Sequence, residues 1–207
     1  MLDLLDIKGA IITIDAMGTQ KSIAEKIVDN GADYILALKG NQKETNEEVQ
    51  SLFKIQEPDT ISEDADKGHG RIEIRKCEVI TDLKFLDSKD KWKNINSIVK
   101  ITSERILKTK SETETRFYIS SLNANANDFN KYIRMHWGVE NSLHWTLDMV
   151  FNEDYQRKRN GRAAENFALI QKIALNILKK DISKGSLRSK RLRAGWDNKF
   201  LLDIVKI

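Results

Sequence analysis

Hydrophobic positions along the chain change rhythm several times. AIITID (10–15) is a continuous, β-branched apolar run that reads as a buried strand ending on an acid. After AMGTQ, the segment KSIAEKIVDNGA (21–32) sets Ile23, Ala24, Ile27 and Val28 at helical spacing and offers Gly31 as a stop. DYILALKG (33–40) reads as a second buried strand. Strand, helix and strand within about thirty residues make a βαβ-type unit and predict an α/β core. A polar stretch over 41–70 follows, with one helical segment (ETNEEVQSLF) and the chain's only proline, Pro58. Apolar runs return in RIEIRKCEVI (71–80), NINSIVKITSERIL (94–107) and TRFYISSL (115–122), which predict a hairpin-rich section. A helix is expected over 127–150, with Asn125 or Asn127 as its N-cap, and another over 162–180 around ENFALIQKIALNIL. After 181 the chain is a short basic tail.

Composition narrows the class. With 207 residues, 40% hydrophobic and 32% charged, the chain can bury a core and is neither disordered nor membrane-like in make-up. Its apolar runs are far too short to span a bilayer, and no basic-then-apolar leader opens it. The single cysteine, Cys77, excludes an internal disulfide and suits a reducing compartment, so a cytoplasmic location is expected. Net charge is only +4, yet residues 156–193 hold 12 Lys and Arg against 2 Asp and Glu, while residues 1–155 hold 21 against 27. A basic C-terminal third beside an acidic body points to a polyanion partner, with a merely solvated lysine-rich face as the bland alternative.

Chemistry concentrates in HWGVENSLHW (136–145), which carries two of the chain's 3 histidines around one glutamate. On a helix His136, Glu140, His144 and Asp148 are each four apart and share one stripe, with Trp137, Val139, Leu143 and Leu147 to pack beside it. Such a stripe could bind zinc, although zinc usually draws ligands from more than one element, or each His could simply pair with a neighbouring group. Asp15, at the end of a buried strand and before a glycine-containing turn, lies where ligands gather in open α/β sheets; an ordinary turn-forming Asp is the alternative. A carboxylate at a strand end with a carboxylate on a helix suits a hard divalent ion such as Mg²⁺ or Mn²⁺. A two-metal phosphodiester centre normally needs three or more carboxylates, and spacing offers two.

Five ordered blocks carry a resemblance: IDAMGTQ (14–20) with its following helix, YILALKGNQ (34–42), HGRIEIR (69–75), and RMHWGVENSLHWTLDMVFNED (134–154). Together they resemble the ISAs-type insertion-sequence transposases, within the wider Asp-Asp-Glu transposases that have an RNase H-like core. The resemblance runs from about residue 2 to residue 181 and implies an incomplete RNase H-like transposase core with a β-rich insertion. Residues 1–42 would be a partial core holding the second catalytic aspartate, 43–122 the insertion, 123–181 the helical part of the core with the catalytic glutamate, and 182–207 a basic tail. Asp15 and Glu140 would be catalytic residues and metal ligands, with Mg²⁺ or Mn²⁺ as cofactor. DNA would be the partner, cut and joined at element ends and target, with two copies working as a homodimer.

Many related transposases carry Tyr and Arg before the glutamate and Lys after it. Here Tyr132 and Arg134 stand eight and six before Glu140, His136 stands four before, and Leu147 stands seven after. Phosphate contacts are therefore expected from Arg134, His136, Asn141 and His144, joined by the basic run Arg157, Lys158, Arg159 and Arg162. Trp137 and Trp145 are expected to anchor their helix by packing, with stacking on a flipped base as the alternative. The family's first aspartate lies upstream of the Asp15 strand, and neither Asp3 nor Asp6 replaces it, so a chain truncated at its N-terminus is expected, with an exposed edge at the AIITID strand. Alternatives to a working enzyme are a remnant that at most binds DNA, and a zinc site on the His136–His144 stripe.

Overall fold

Strands β1 (Ile11–Ile14) and β2 (Asp33–Leu38) lie parallel with α1 (Lys21–Asp29) between them in sequence, as the opening apolar runs predict. The structure is a computed structural model and describes residues 5–68, 71–107, 110–139 and 143–206. Helix α1 buries Ala24 and Ile27 completely. It ends at Gly31, whose φ of 71° suits a left-handed stop. DYILAL is buried along almost its whole length, because β2 lies inside the sheet and is covered on both faces.

Six strands form one mixed sheet in the order β1-β2-β6-β5-β4-β3, with β3 Thr60–Gly68, β4 Arg71–Ile80, β5 Ser97–Ile106 and β6 Ser111–Ser120. Every pairing except β1–β2 is antiparallel. Strand β3 lies inside the stretch that reads as polar: TISEDADKG has almost no apolar alternation and forms by pairing with β4, from Thr60 opposite Val79 to Gly68 opposite Arg71. Its acids suit an edge strand, where charge discourages pairing with other chains. The opposite edge is β1, paired on one side only among the described residues and half-exposed throughout.

Register assigns each face. Leu36, Ile119, Ile98 and Ile80 share one rung and one side, and with Tyr34, Ile12 and Ile14 they join a core covered by α1 and by α2 (Lys43–Ile55). Trp92, from the β4–β5 connection, closes that core and donates its Nε1–H to Thr45 Oγ1 on α2 at 3.2 Å. The other side carries Ile35, Val79, Val99 and Tyr118. Helix α3 (Ala126–Val139) lies on that side, with Ala126 N–H donating to Thr60 Oγ1 at 3.0 Å and Phe129 and Ile133 fully buried. Asn125 caps α3, its Oδ1 accepting from Asp128 N–H at 3.1 Å.

Contacts divide the chain into units of residues 1–136 and 137–207, with the boundary inside α3. Residues 140–142, and with them Glu140 and Asn141, lie outside the described residues. The second unit holds α4 (Trp145–Phe151), α5 (Ala163–Lys180), α6 (Leu187–Trp196) and α7 (Asn198–Val205). The segment that reads as a basic tail is thus two helices. Sequence LRSKRLRAGW hides α6 because it has no apolar stripe. The helix is fixed instead by Ser186 Oγ, which accepts from Ser189 N–H, and by the buried Lys190 ammonium 3.0 Å from Asp181 Oδ2. Asp197 caps α7 by accepting from Phe200 N–H, and Phe200 and Ile204 pack with Leu178 of α5.

Candidate active site

Asp15 leaves β1 in extended conformation (φ −70°, ψ 164°) and starts a short 3₁₀ turn over Ala16–Gly18. Continued alternation puts its side chain on the side of Thr13, the side that α3 covers. Its carboxylate is half-exposed and makes no hydrogen bond or ion pair among the described residues. An Asp at such a turn can hydrogen-bond its own backbone; among the described residues this one does not.

The turn is held by other groups. Thr19, fully buried, donates its hydroxyl to Ala37 O of β2 at 2.7 Å. Asn41, just past β2, donates from Nδ2 to Ala16 O and, at 3.4 Å, to Thr19 O; Gln42 donates from Nε2 to Thr19 O at 3.0 Å. Gly18 packs so tightly that a Cβ there would lie 2.6 Å from Ile14 Cγ2. Two adjacent parallel strands therefore end in turns that are stitched together by side-chain amides. This is the place in an open α/β sheet where ligand chemistry sits. Thr19, Asn41 and Gln42 carry no role in the sequence reading, although the blocks IDAMGTQ and YILALKGNQ contain them. The available signal was two polar turns following two neighbouring strands.

Helix α3 brings a second group to the same strand. Thr13 Oγ1 and His136 Nδ1 lie 2.9 Å apart in a hydrogen bond, so His136 is joined to the strand that carries Asp15. Along its other flank α3 is laced to β3: Ser62 Oγ donates to Asn127 Oδ1 at 2.8 Å, Asn130 Nδ2 to Asp64 Oδ2 at 2.7 Å, and Arg134 Nη2 to Asp66 Oδ2 at 3.2 Å. Arg134 is thus ion-paired within its own unit. Among the described residues no group of three His, Cys, Asp or Glu is assembled for a metal, and Glu140, the expected partner of Asp15, is outside them.

In the second unit His144 is exposed, and Trp145 keeps 62% of its surface exposed, against the expectation that it anchors its helix by packing. Arg157, Lys158, Arg159 and Arg162 lie on the exposed connection between α4 and α5. Lys158 donates to Gln156 Oε1 at 2.8 Å and lies 3.5 Å from the Phe167 ring centroid. Arg157, Arg159 and Arg162 make no ion pair among the described residues. Further along, part of the basic charge is spent internally: Lys190 on Asp181, and Arg193 on Asp197 and the Phe200 ring. No helix among the described residues is long and apolar enough to cross a membrane.

Comparison with known proteins converges on one family. The family described as "Transposase DDE domain" matches residues 1–177. The protein YbfL of Escherichia coli K12 is 42% identical over 99% of this chain and 57% of its own length. "H repeat-associated putative transposase YhhI" of the same strain is likewise 42% identical over 99% of this chain and 57% of its length. The chain therefore spans a little over half of these relatives. No solved structure gives a significant match.

Proposed function

The chain belongs to the transposase DDE-domain family, and from that premise we propose that it is the catalytic-core portion of an insertion-sequence transposase. In this reading Asp15 and Glu140 are catalytic carboxylates for cutting and joining DNA. The observation that carries it is Asp15: a carboxylate uncommitted among the described residues, at the end of β1, on a turn fixed by Thr19, Asn41 and Gln42. Fixing the backbone while leaving the carboxylate free is what preorganisation of a metal-binding acid requires.

The donor chemistry fits Mg²⁺ or Mn²⁺. Asp15 is a hard oxygen ligand with no ion-paired cation among the described residues, and Glu140 is the second carboxylate of this reading. When bound, the ion would polarise a phosphodiester and activate the attacking oxygen. The protein's own share is positional. Asn41 and Gln42 hold the Asp15 turn, and His136 ties α3 to β1 through Thr13. In this reading Arg157, Arg159, Arg162, His144 and Asn141 are the contacts to the phosphate backbone at the element end or target. Two copies would serve the two ends of the element, in the cytoplasm where the DNA lies.

The test is nicking of supercoiled DNA carrying element ends, with Mn²⁺ or Mg²⁺, by this chain alone and with the part of a longer relative that it does not span. Metal-dependent nicking that disappears in Asp15→Ala and Glu140→Ala is expected. Salt-sensitive DNA retention without cutting in either format overturns the catalytic reading and leaves a DNA-binding remnant. Cutting that survives both substitutions overturns the assignment of these two acids.

A further inference from the structure

The block HGRIEIR ends on Arg75, a residue that neither the Asp15 turn nor the α4–α5 connection involves. Arg75 on β4 and Arg116 on β6 are separated by one strand and point to the same side of the sheet. Register shows this: Arg75 pairs with Ser103, Ser103 with Glu114, and Cys77 and Ile101 share the rung of Arg116. That side is the one α3 covers, and Arg134 of α3 reaches it through its ion pair with Asp66.

The three guanidiniums are unequal. Arg116 is bound by Glu114, at 2.8 Å from Nε and 2.9 Å from Nη2. Arg134 has Asp66. Arg75 is half-buried and makes no hydrogen bond or ion pair among the described residues. The acid directly opposite it on β3, Asp64, accepts from Asn130 Nδ2 instead. Glu73, next along β4 on the same face, is paired with Arg105. Burial above all, then repulsion from Arg134 and Arg116, hold the Arg75 guanidinium below its ordinary pKa, against the opposing influence of Tyr118 and the attraction of Glu73. A half-buried cation kept beside two others, with no ion pair of its own among the described residues, favours an anion that can reach it.

We propose that Arg75, Arg116 and Arg134 form a binding site for one backbone phosphate of DNA, on the α3 side of strands β4–β6. The proposal rests on the transposase reading for the identity of the anion. It makes the strand-rich section a DNA-holding element in its own right. Bidentate guanidinium geometry suits a phosphate, and the Glu114 and Asp66 carboxylates keep the flanking arginines aimed while Arg75 supplies a charge with no ion pair among the described residues.

The test measures affinity of the full chain for a short DNA duplex from about 50 to about 200 mM salt, for wild type, Arg75→Gln and Lys54→Gln. Lys54 is an exposed cation on α2 and controls for loss of one charge. Arg75→Gln is expected to bind about tenfold more weakly, with the log–log salt slope reduced by about 0.9. Its melting temperature should be equal to or above that of wild type, since a repelled charge has been removed. Lys54→Gln should change neither. A wild-type slope in Arg75→Gln overturns the site while the DNA-binding reading stands, and so does a marked drop in melting temperature, which would mean a structural arginine. Wild-type chain that retains no DNA at low salt overturns both.

Discussion

The turn after β1 and the connection after α4 both carry proposed chemistry, and they are built on opposite plans. The Asp15 turn has a buried threonine, two side-chain amides on its carbonyls and a glycine packed against Ile14, while its acid makes no described bond. The 152–162 connection is almost wholly exposed, and Arg157, Arg159 and Arg162 have no described ion pair. The difference follows from what each must hold. A metal-binding carboxylate loses its use if displaced by about 1 Å, so its backbone is fixed. A phosphate contact made by a long cation tolerates movement, because its energy comes from charge and counterion release.

The sharpest break of this contrast is Gly18→Val. A Cβ alone would sit 2.6 Å from a β-branched neighbour, Ile14 Cγ2, so a valine must push the turn off β1. Urea denaturation should show a loss of about 2–3 kcal/mol, together with loss of nicking if the Asp15 assignment holds. Unchanged stability would mean the turn relaxes freely and is not the fixed element described. Thr19→Val and Asn41→Ala come next. Each removes a donor from a turn carbonyl or strand carbonyl without adding bulk, and each should lower stability by about 1–2 kcal/mol. Nicking should fall in Asn41→Ala by more than its modest stability loss explains, since the protein remains folded while the turn loosens.

Much of this was legible before the structure, for reasons visible in individual residues. Ile23, Ala24, Ile27 and Val28 announce α1, and RIEIRKCEVI marks β4 over the same ten residues that the structure gives it. Strand β3 was illegible because TISEDADKG owes its conformation to a partner strand rather than to an apolar face. Helix α6 was illegible because a cap and one buried ion pair hold it. For the site, Asp15 stood out as an acid ending an apolar strand, whereas Thr13, Asn41 and Gln42 did not. Their work depends on which strands become neighbours, and a local pattern does not contain that. Arg75 was hidden likewise: its alternation suggests a strand, but that Asp64 lies opposite it and accepts from Asn130 depends on which elements become neighbours.

Between the two plans lies Glu78 on β4, a buried charge with cations on either side, Lys76 Nζ and Lys100 Nζ, each at 3.0 Å. Burial pushes its carboxyl up, but the hydrogen bonds from Lys100 and Lys76 outweigh it and hold the pKa below the ordinary 4.5. A folded-state pKa below the unfolded one adds stability that is present above the unfolded value and disappears as pH falls through the folded one. The stability gap between wild type and Glu78→Gln should therefore be constant near neutrality and narrow in acid below pH 4.5. A gap independent of pH would show that the pair is screened and contributes through packing alone.

The smallest effects on folding, and the clearest on DNA, belong to the α4–α5 connection. Arg157→Gln, Arg159→Gln and Arg162→Gln should each leave stability within about 0.5 kcal/mol, because no described side chain depends on them. Each should also lower the salt slope of DNA binding by about 0.9 if it meets a phosphate. Lys158 separates the two properties within one stretch. Its ammonium is 3.5 Å from the Phe167 ring centroid, so Lys158→Gln should lose about 0.5–1 kcal/mol of folding stability. The same contact holds the charge against α5, so its effect on the salt slope should be smaller than that of its arginine neighbours. If all four substitutions reduce the slope equally, the cation–π contact yields to DNA. If none does, the basic charge of this connection is a solvated surface and DNA is held elsewhere, with the Arg75 cluster as the remaining described anion site.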